Sequence, residues 1–492
     1  MHGTILQAFH WYMRGNGYLW PHLRDEAKHL KEIGFTSIWL PPAYKGIDGS
    51  NSIGYDIYDL YDLGEFDQKG SVATRYGTKE QYMECVQALQ NEGLRVMVDI
   101  VLNHKAGGDE VEKIKVVQVN PDNRNKVISV PMEIEAHTKF TFPGRNKKYS
   151  AFIWDYQCFT GVDNVGQDGE NIYKILNGNG ELWQDVVGNE KGNYDFLMFD
   201  DIDYRNPAVR EEVNKWGQWY YDQLHFDAVR LDAVKHMPPD FIVEWVQKIR
   251  AHAGKDIFAV AEYWAPGFLD LLQDYIKATN GTMAMFDCSL QSNFHYASKQ
   301  SNQYDMREIF NQTLVQANPE LAVTVVSNHD TQPLQALESV VEAWFKPLAY
   351  ALILLRVDGY PSVFYPDLYG ASYKDKGHDG NEYEIWLPKI NELENLLMAR
   401  RLYAYGHQRD YLDHHNCIGF TREGDDTHTG CAVIMSNGAE GFKKMETGTR
   451  YSGKTFYDLL GHRQETVHID EHGFAEFHCN AGSVSVWIEK TG

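Results

Sequence analysis

Apolar and polar positions change period repeatedly along this chain, and each change marks an element. Residues 4–11 and 35–42 (FTSIWLPP) are short β-branched and aromatic runs, the second closed by two prolines that stop a strand. Residues 20–33 and 79–92 carry apolar positions at helical spacing, with Met83, Val86 and Leu89 on one face of the second. A third strand is predicted over 94–101, ending in Asn103 and His104. Strand followed by helix, repeated from the start of the chain, predicts a parallel sheet.

The rhythm breaks after His104. Residues 105–206 are rich in Gly, Asn and Asp and hold short alternating runs such as 127–132, the pattern of an inserted β-rich domain. Helical spacing resumes over 208–224 and leads into 226–236 (FDAVRLDAVKH), a strand-like run. Further strands are predicted at 257–264 (IFAVAEYW), 283–286, 322–327 (AVTVVS) and 362–365, with a long apolar helix over 341–357. Eight strands, most separated by helices, close as a (β/α)8 TIM barrel interrupted after strand three. Beyond residue 405 only strands follow, as at 431–435, 474–478 and 483–487, which predicts a C-terminal antiparallel β-sandwich. The expected division is a barrel in two parts, 1–104 and 207–405, an insertion at 105–206 and a C-terminal domain at 406–492.

Charge narrows the ligand. A net −23 argues against nucleic acid, whose phosphates need basic contacts, and against an anionic membrane surface. No apolar run is long enough to span a bilayer. A neutral substrate fits better, and the 13% of aromatic residues supplies rings that stack on sugar faces. Six scattered cysteines with no CxxC pair predict neither a zinc site nor a disulfide framework. The segment MHGTILQAFHW lacks a basic stretch followed by a long apolar one, so the expectation is a cytoplasmic protein, taken as a monomer.

The chemistry gathers at the predicted strand ends, where barrels of this kind carry their sites. His104 follows strand three, Arg230 and Asp232 lie on strand four, Glu262 ends strand five, and His329 and Asp330 follow strand seven. Taken singly, each has a plainer reading: a buried structural pair, a helix cap, a turn. Taken together, paired carboxylates, aromatic walls and a neutral substrate point to cleavage of a glycosidic bond. Arg230 should hold Asp232 ionised as a nucleophile, while the apolar neighbours Ala261, Tyr263 and Trp264 should raise Glu262 toward an acid's role. Asp330 is the third carboxylate, gripping sugar hydroxyls. A binding protein that has lost catalysis and a transferase that passes the cleaved sugar to another sugar rather than to water are the competing readings.

Four motifs, DIVLNH (99–104), VRLDAVKH (229–236), AEYW (261–264) and SNHDTQP (327–333), resemble the conserved segments of the α-amylase family, glycoside hydrolase family 13. GYDIYDLYDLGEFDQKGSV (54–72) and EAWFKPLAYALILLR (342–356) look like its bacterial liquefying and cytoplasmic branch. The resemblance implies retaining endo-hydrolysis of α-1,4-glucan, with Asp232 as nucleophile, Glu262 as proton donor and Asp330 as transition-state stabiliser. It implies Tyr55 stacking on the sugar, and His104, Arg230, Lys235, His236 and His329 contacting hydroxyls or orienting carboxylates. It also implies one structural calcium held by Asn103, Asp195, Asp201 and the His236 carbonyl, hard oxygen ligands of the kind calcium takes, with Asp203 as a further candidate. Where relatives place more carboxylates this chain has Thr160, Gln184 and Arg205, and near the C-terminal domain Asn416 and Asn437, so a metal cluster is not expected.

Overall fold

The computed structural model describes residues 3–163, 171–180 and 183–490. Eight parallel strands close into a barrel in chain order: β1 (Ile5–Gln7), β2 (Ser37–Leu40), β3 (Arg95–Ile100), β4 (Ala228–Leu231), β5 (Phe258–Ala261), β6 (Ala284–Phe286), β7 (Ala322–Val325) and β8 (Tyr360–Phe364), the last pairing with the first. Helices and the interior cover both faces of these strands, which is why they read as continuous apolar runs rather than alternations. Register decides where polar side chains meet: Arg230 on β4 stands opposite Asp99 on β3 and Val260 on β5.

Two expected elements differ. The run 226–236 is a strand only as far as Leu231; Ala233 then takes a left-handed conformation at φ 50°, and Val234–His236 forms a single 3-10 turn. Asp232 is therefore the first residue beyond the strand, at the barrel mouth. The apolar helix expected over 341–357 is the shorter Lys346–Leu355, with Pro347 in its first turn, where a missing N–H is harmless.

The insertion is an antiparallel sheet that starts on the residues just after β3. His104–Lys105 pairs with Asp200–Ile202, which pairs with Phe159–Val162 and, through Ile172–Ile175, with the long strand Glu110–Asn120. Asp201 stands opposite His104, so this sheet returns the chain to the end of β3. The alternating stretch 127–132 is the link between strands Asn123–Val127 and Met132–Lys139, both paired to Glu110–Asn120.

Beyond the barrel, a six-stranded antiparallel sheet packs on the two-stranded sheet Gly441–Glu446 and Phe474–Cys479. Ile434, Met445, Phe456, Phe477 and Trp487 form the core of this sandwich. No described helix is long and apolar enough to cross a membrane.

Candidate active site

The site is built on one guanidinium. Arg230 is 1% exposed inside an apolar barrel, so its charge must be answered locally. Its Nη1 donates to Asp99 Oδ1 at 2.9 Å and to Asp232 Oδ1 at 2.6 Å, and its Nη2 donates to Glu262 Oε2 at 2.6 Å. Asp99, fully buried, also accepts from Trp39 Nε1 and from the Tyr55 hydroxyl, each at 2.9 Å. The Ala233 N–H adds a bond to Glu262 Oε2 at 3.2 Å, made possible by the left-handed turn after β4.

Asp330 approaches from the far side of the mouth. Asn328 Oδ1 accepts from the backbone N–H groups of Asp330 and Thr331 at 3.0 and 2.9 Å, a turn that fixes the carboxylate just past β7. Gln7 Nε2 donates to His329 Nδ1 at 2.9 Å, which leaves the ring proton on Nε2, 3.3 Å from Asp330 Oδ2. Burial, with Arg230 nearby, holds that imidazole well below its usual pKa and therefore neutral. The rings of Trp11, Tyr55 and His329 stack nearly parallel, with 5.9 Å between Trp11 and Tyr55 and 5.0 Å between Tyr55 and His329.

Burial moves all three carboxyls upward. For Asp232 desolvation outweighs the pull of Arg230 and sets the value at about 6. Sequence reasoning put the arginine first; burial is the larger influence. Glu262 rises through burial, opposed by Arg230 and helped by the charge of Asp232. Asp330 rises well above the carboxylate range through burial and the charge of Glu262. The arrangement holds two buried carboxyls of raised pKa on one guanidinium, the pair that acid and nucleophile work on one bond requires.

A family model described as alpha amylase, catalytic domain, matches residues 23–392, and one described as alpha-amylase C-terminal matches residues 431–488. The chain belongs to the alpha-amylase family. The cytoplasmic alpha-amylase of Escherichia coli (strain K12) is 52% identical over 487 residues, 99% of this chain and 98% of that protein. The glucan 1,4-alpha-maltohexaosidase of Bacillus sp. (strain 707) is 46% identical over 99% of this chain and 92% of that protein. The crystal structure of alpha-amylase I from Eisenia fetida superposes with a TM-score of 0.67 at 15% identity, covering 98% of this chain and 96% of that one, a likeness of fold. As a member of the alpha-amylase family, the protein is a glycoside hydrolase.

Not every expected residue of this alpha-amylase family member faces the carboxylates. His104 donates Nε2–H to the Tyr55 carbonyl at 2.7 Å, and burial lowers its pKa to about 4. His236 donates Nδ1–H to the Tyr194 carbonyl at 2.6 Å, its pKa lowered by burial to about 3. Lys235 pairs with Glu190 and lies 5.2 Å from the centre of the Tyr194 ring. Lys235 and His236 thus turn toward the insertion.

Three of the residues expected to hold calcium meet where insertion and barrel join. Asn103 Nδ2 donates to Asp201 Oδ1 at 3.3 Å, and the Ile202 N–H bonds the Asn103 carbonyl at 3.0 Å. Asp195 accepts from Gln184 N and Nε2 at 3.0 and 3.1 Å, and Tyr194 ties His236 into the same corner. Burial lifts Asp195 to about 7; burial and the charge of Asp195 push Asp201 well above the usual carboxylate range. Asn103 Oδ1 is buried without a hydrogen-bond partner. Unneutralised carboxylates beside an orphaned amide oxygen are a donor set that suits a hard divalent cation. Among the described residues no three Asp, Glu, His or Cys side chains gather as a metal site by themselves, so the asparagine is essential to the fit.

The neighbouring departures have structural roles. Thr160 donates to Asp201, Gln184 to Asp195, and Arg205 grips Asp203 through Nε and Nη2 at 2.8 and 2.9 Å. Although burial opposes it, this pairing brings Asp203 below the usual carboxylate value. Asn437 Nδ2 donates to the Ser301 and Tyr304 carbonyls at 2.7 and 2.9 Å, and Asn416 Nδ2 to Asn437 Oδ1 at 3.0 Å, so amide donors join barrel to sandwich there.

Sequence reasoning missed Asp99, Trp39, Gln7 and Trp11. Asp99 alone carried a signal: it opens DIVLNH inside the apolar run 96–101, and a buried aspartate demands a cation.

Proposed function

We propose that the protein is an endo-acting α-amylase that hydrolyses internal α-1,4-glucosidic bonds of starch, glycogen and maltodextrins with retention of configuration. The observation that carries this reading is the single buried Arg230 bonded to both Asp232 and Glu262, with the charge of Glu262 also acting on Asp330. Asp232 attacks the anomeric carbon as the bond to the leaving oxygen breaks, and Glu262 gives that oxygen its proton. Water, deprotonated by Glu262, then attacks the glycosyl ester and frees Asp232. Asp330 grips ring hydroxyls most tightly in the transition state. Tyr55 stacks on the sugar; His104, Arg230 and His329 orient it, and Lys235 and His236 contact it from the insertion side.

A single calcium, held by Asn103, Asp195, Asp201 and the His236 carbonyl, serves structure rather than chemistry. The orphaned Asn103 oxygen supports that reading. A cytoplasmic location is supported by the name of the Escherichia coli relative. The protein acts as a monomer.

Asp232→Asn and Glu262→Gln should each lower kcat on soluble starch about a thousandfold, in the range that acid–base and nucleophilic groups supply, with an unchanged thermal transition. Turnover near that of the wild type would overturn the assignment. A time course of product sizes on amylose checks the endo mode: long fragments should precede short ones.

A further inference from the structure

The most exposed aromatic ring among the described residues has no part in the machinery above. Trp386 is 79% exposed on the hairpin Ala371–Lys376 and Glu382–Leu387, which follows β8. The two faces of this hairpin are unlike. On the inner face Tyr373 and Leu387 are buried: the Tyr373 ring stacks on Tyr12 at 4.0 Å and its hydroxyl donates to the Pro333 carbonyl at 2.9 Å. Tyr12 in turn donates to Asp375 at 2.8 Å and accepts from Gln335 at 2.8 Å. The hairpin is thereby fastened to the segments after β1 and β7, the same ones that carry Trp11 and Asp330 at the catalytic mouth.

The outer face is exposed along its length. Trp386 stands there opposite Ser372, and the next pairs along are Lys374 with Glu384 and Lys376 with Glu382. Lys374 and Glu384 form an ion pair at 3.5 Å, one two-residue step, about 7 Å, from the ring along the strands. Charges on this face cancel in pairs, leaving a bare indole flanked by hydrogen-bond donors and acceptors without net charge. A lone exposed ring is common on protein surfaces, but this one sits on a hairpin fastened beside the catalytic mouth and offers a flat apolar face that a ligand can cover. The chemistry suits a neutral polyhydroxylated chain: its apolar C–H faces cover the indole, and its hydroxyls meet Lys374 and Glu384. An anionic polymer is disfavoured by the net charge of −23.

We propose that this face is a second α-glucan-binding platform, centred on Trp386, that holds a distant part of the polymer whose cleavage occurs at Asp232. The inference rests on the amylase reading and adds a site to it. Its role is to raise affinity for long chains through multivalency, without touching the reacting bond.

Two measurements test it. For Trp386→Ala, KM on amylose should rise about fivefold, the factor given by about 1 kcal/mol of ring stacking, while kcat/KM on a chromogenic maltotrioside stays at the wild-type value. Trp386→Tyr should restore most of the affinity. In the inactive Glu262→Gln background, adding Trp386→Ala should weaken retardation of the protein in an amylose-containing gel. An unchanged KM on amylose, an equal loss on long and short substrates, or an unchanged gel mobility overturns the platform. A change of oligomeric state on Trp386→Ala, read by sedimentation, overturns it in favour of a contact between two copies. Absence of starch cleavage by the wild type would instead sink the amylase reading, so the two failures are distinguishable.

Discussion

Asp99 never meets a sugar, yet the electrostatics of the site start from it. Its two oxygens accept from Arg230, Trp39 and Tyr55, so every side of the carboxylate is occupied by a donor. An asparagine there must turn its amide N–H groups toward Arg230 or toward the two ring donors, and either choice sets donor against donor. The negative charge of Asp99 also raises Asp232. The proposed nucleophile role needs Asp232 ionised, so wild-type kcat/KM on starch should fall as the pH drops through about 6. Asp99→Asn should lower kcat by about tenfold or more through loosened Arg230, and should move that acid limb to lower pH, since one charge that opposes ionisation is gone. A pH profile separates this positioning role from mere instability, which would lower the whole curve without moving its limb.

At the scale of elements, the eight strands were legible from their apolar runs, but their ends were not. Past Leu231 the run 226–236 still holds Ala233 and the buried Val234, so hydropathy could not reveal where pairing stops. Asp232, Glu262 and Asp330 were expected there because each lies on or just past a predicted strand within a recognisable motif. Asp99 was not, because its role depends on the β3–β4 register that sets it opposite Arg230. The junction of barrel and sandwich was legible only as the absence of carboxylates at Asn416 and Asn437. Their amides take the place of charge: Asn437, 1% exposed, donates to two carbonyls of the segment after the helix Cys288–Gln300. Asn437→Ala removes its bonds to the Ser301 and Tyr304 carbonyls and the one it accepts from Asn416, and should destabilise by about 2 kcal/mol, read as a lowered denaturant midpoint with specific activity intact. Asn437→Asp should cost more, because its carboxylate would face two carbonyl oxygens. Equal midpoints for all three proteins would remove this junction from the account of stability.

For the whole molecule, the decisive corner is the one where Asn103, from the end of β3, meets Asp195 and Asp201 from the returning insertion. Without a cation, folding confines two carboxylates whose charges repel, and the folded state keeps protons that the unfolded chain gives up. The folded value for Asp195 is about 7 against an ordinary 3.8, so between those values the folded state binds more protons than the unfolded one. Stability in a chelator should therefore fall as the pH rises across that window. The proposed calcium would reverse the preference, because it would need both carboxylates ionised, and at a hundred times its Kd it should add about 2.7 kcal/mol. Thermal melting in excess calcium and in chelator, from pH 4 to pH 7, should give two curves that diverge as the pH rises. Asp201→Asn should close that gap from both sides: it removes a ligand, lowering the calcium curve, and relieves the repulsion on Asp195, raising the chelator curve. Parallel curves for the wild type, or a gap that survives Asp201→Asn, would mean that the metal acts elsewhere, and the barrel and insertion would then be joined at this corner by the Asp200–Ile202 pairing and by side-chain contacts such as those of Lys235 and His236.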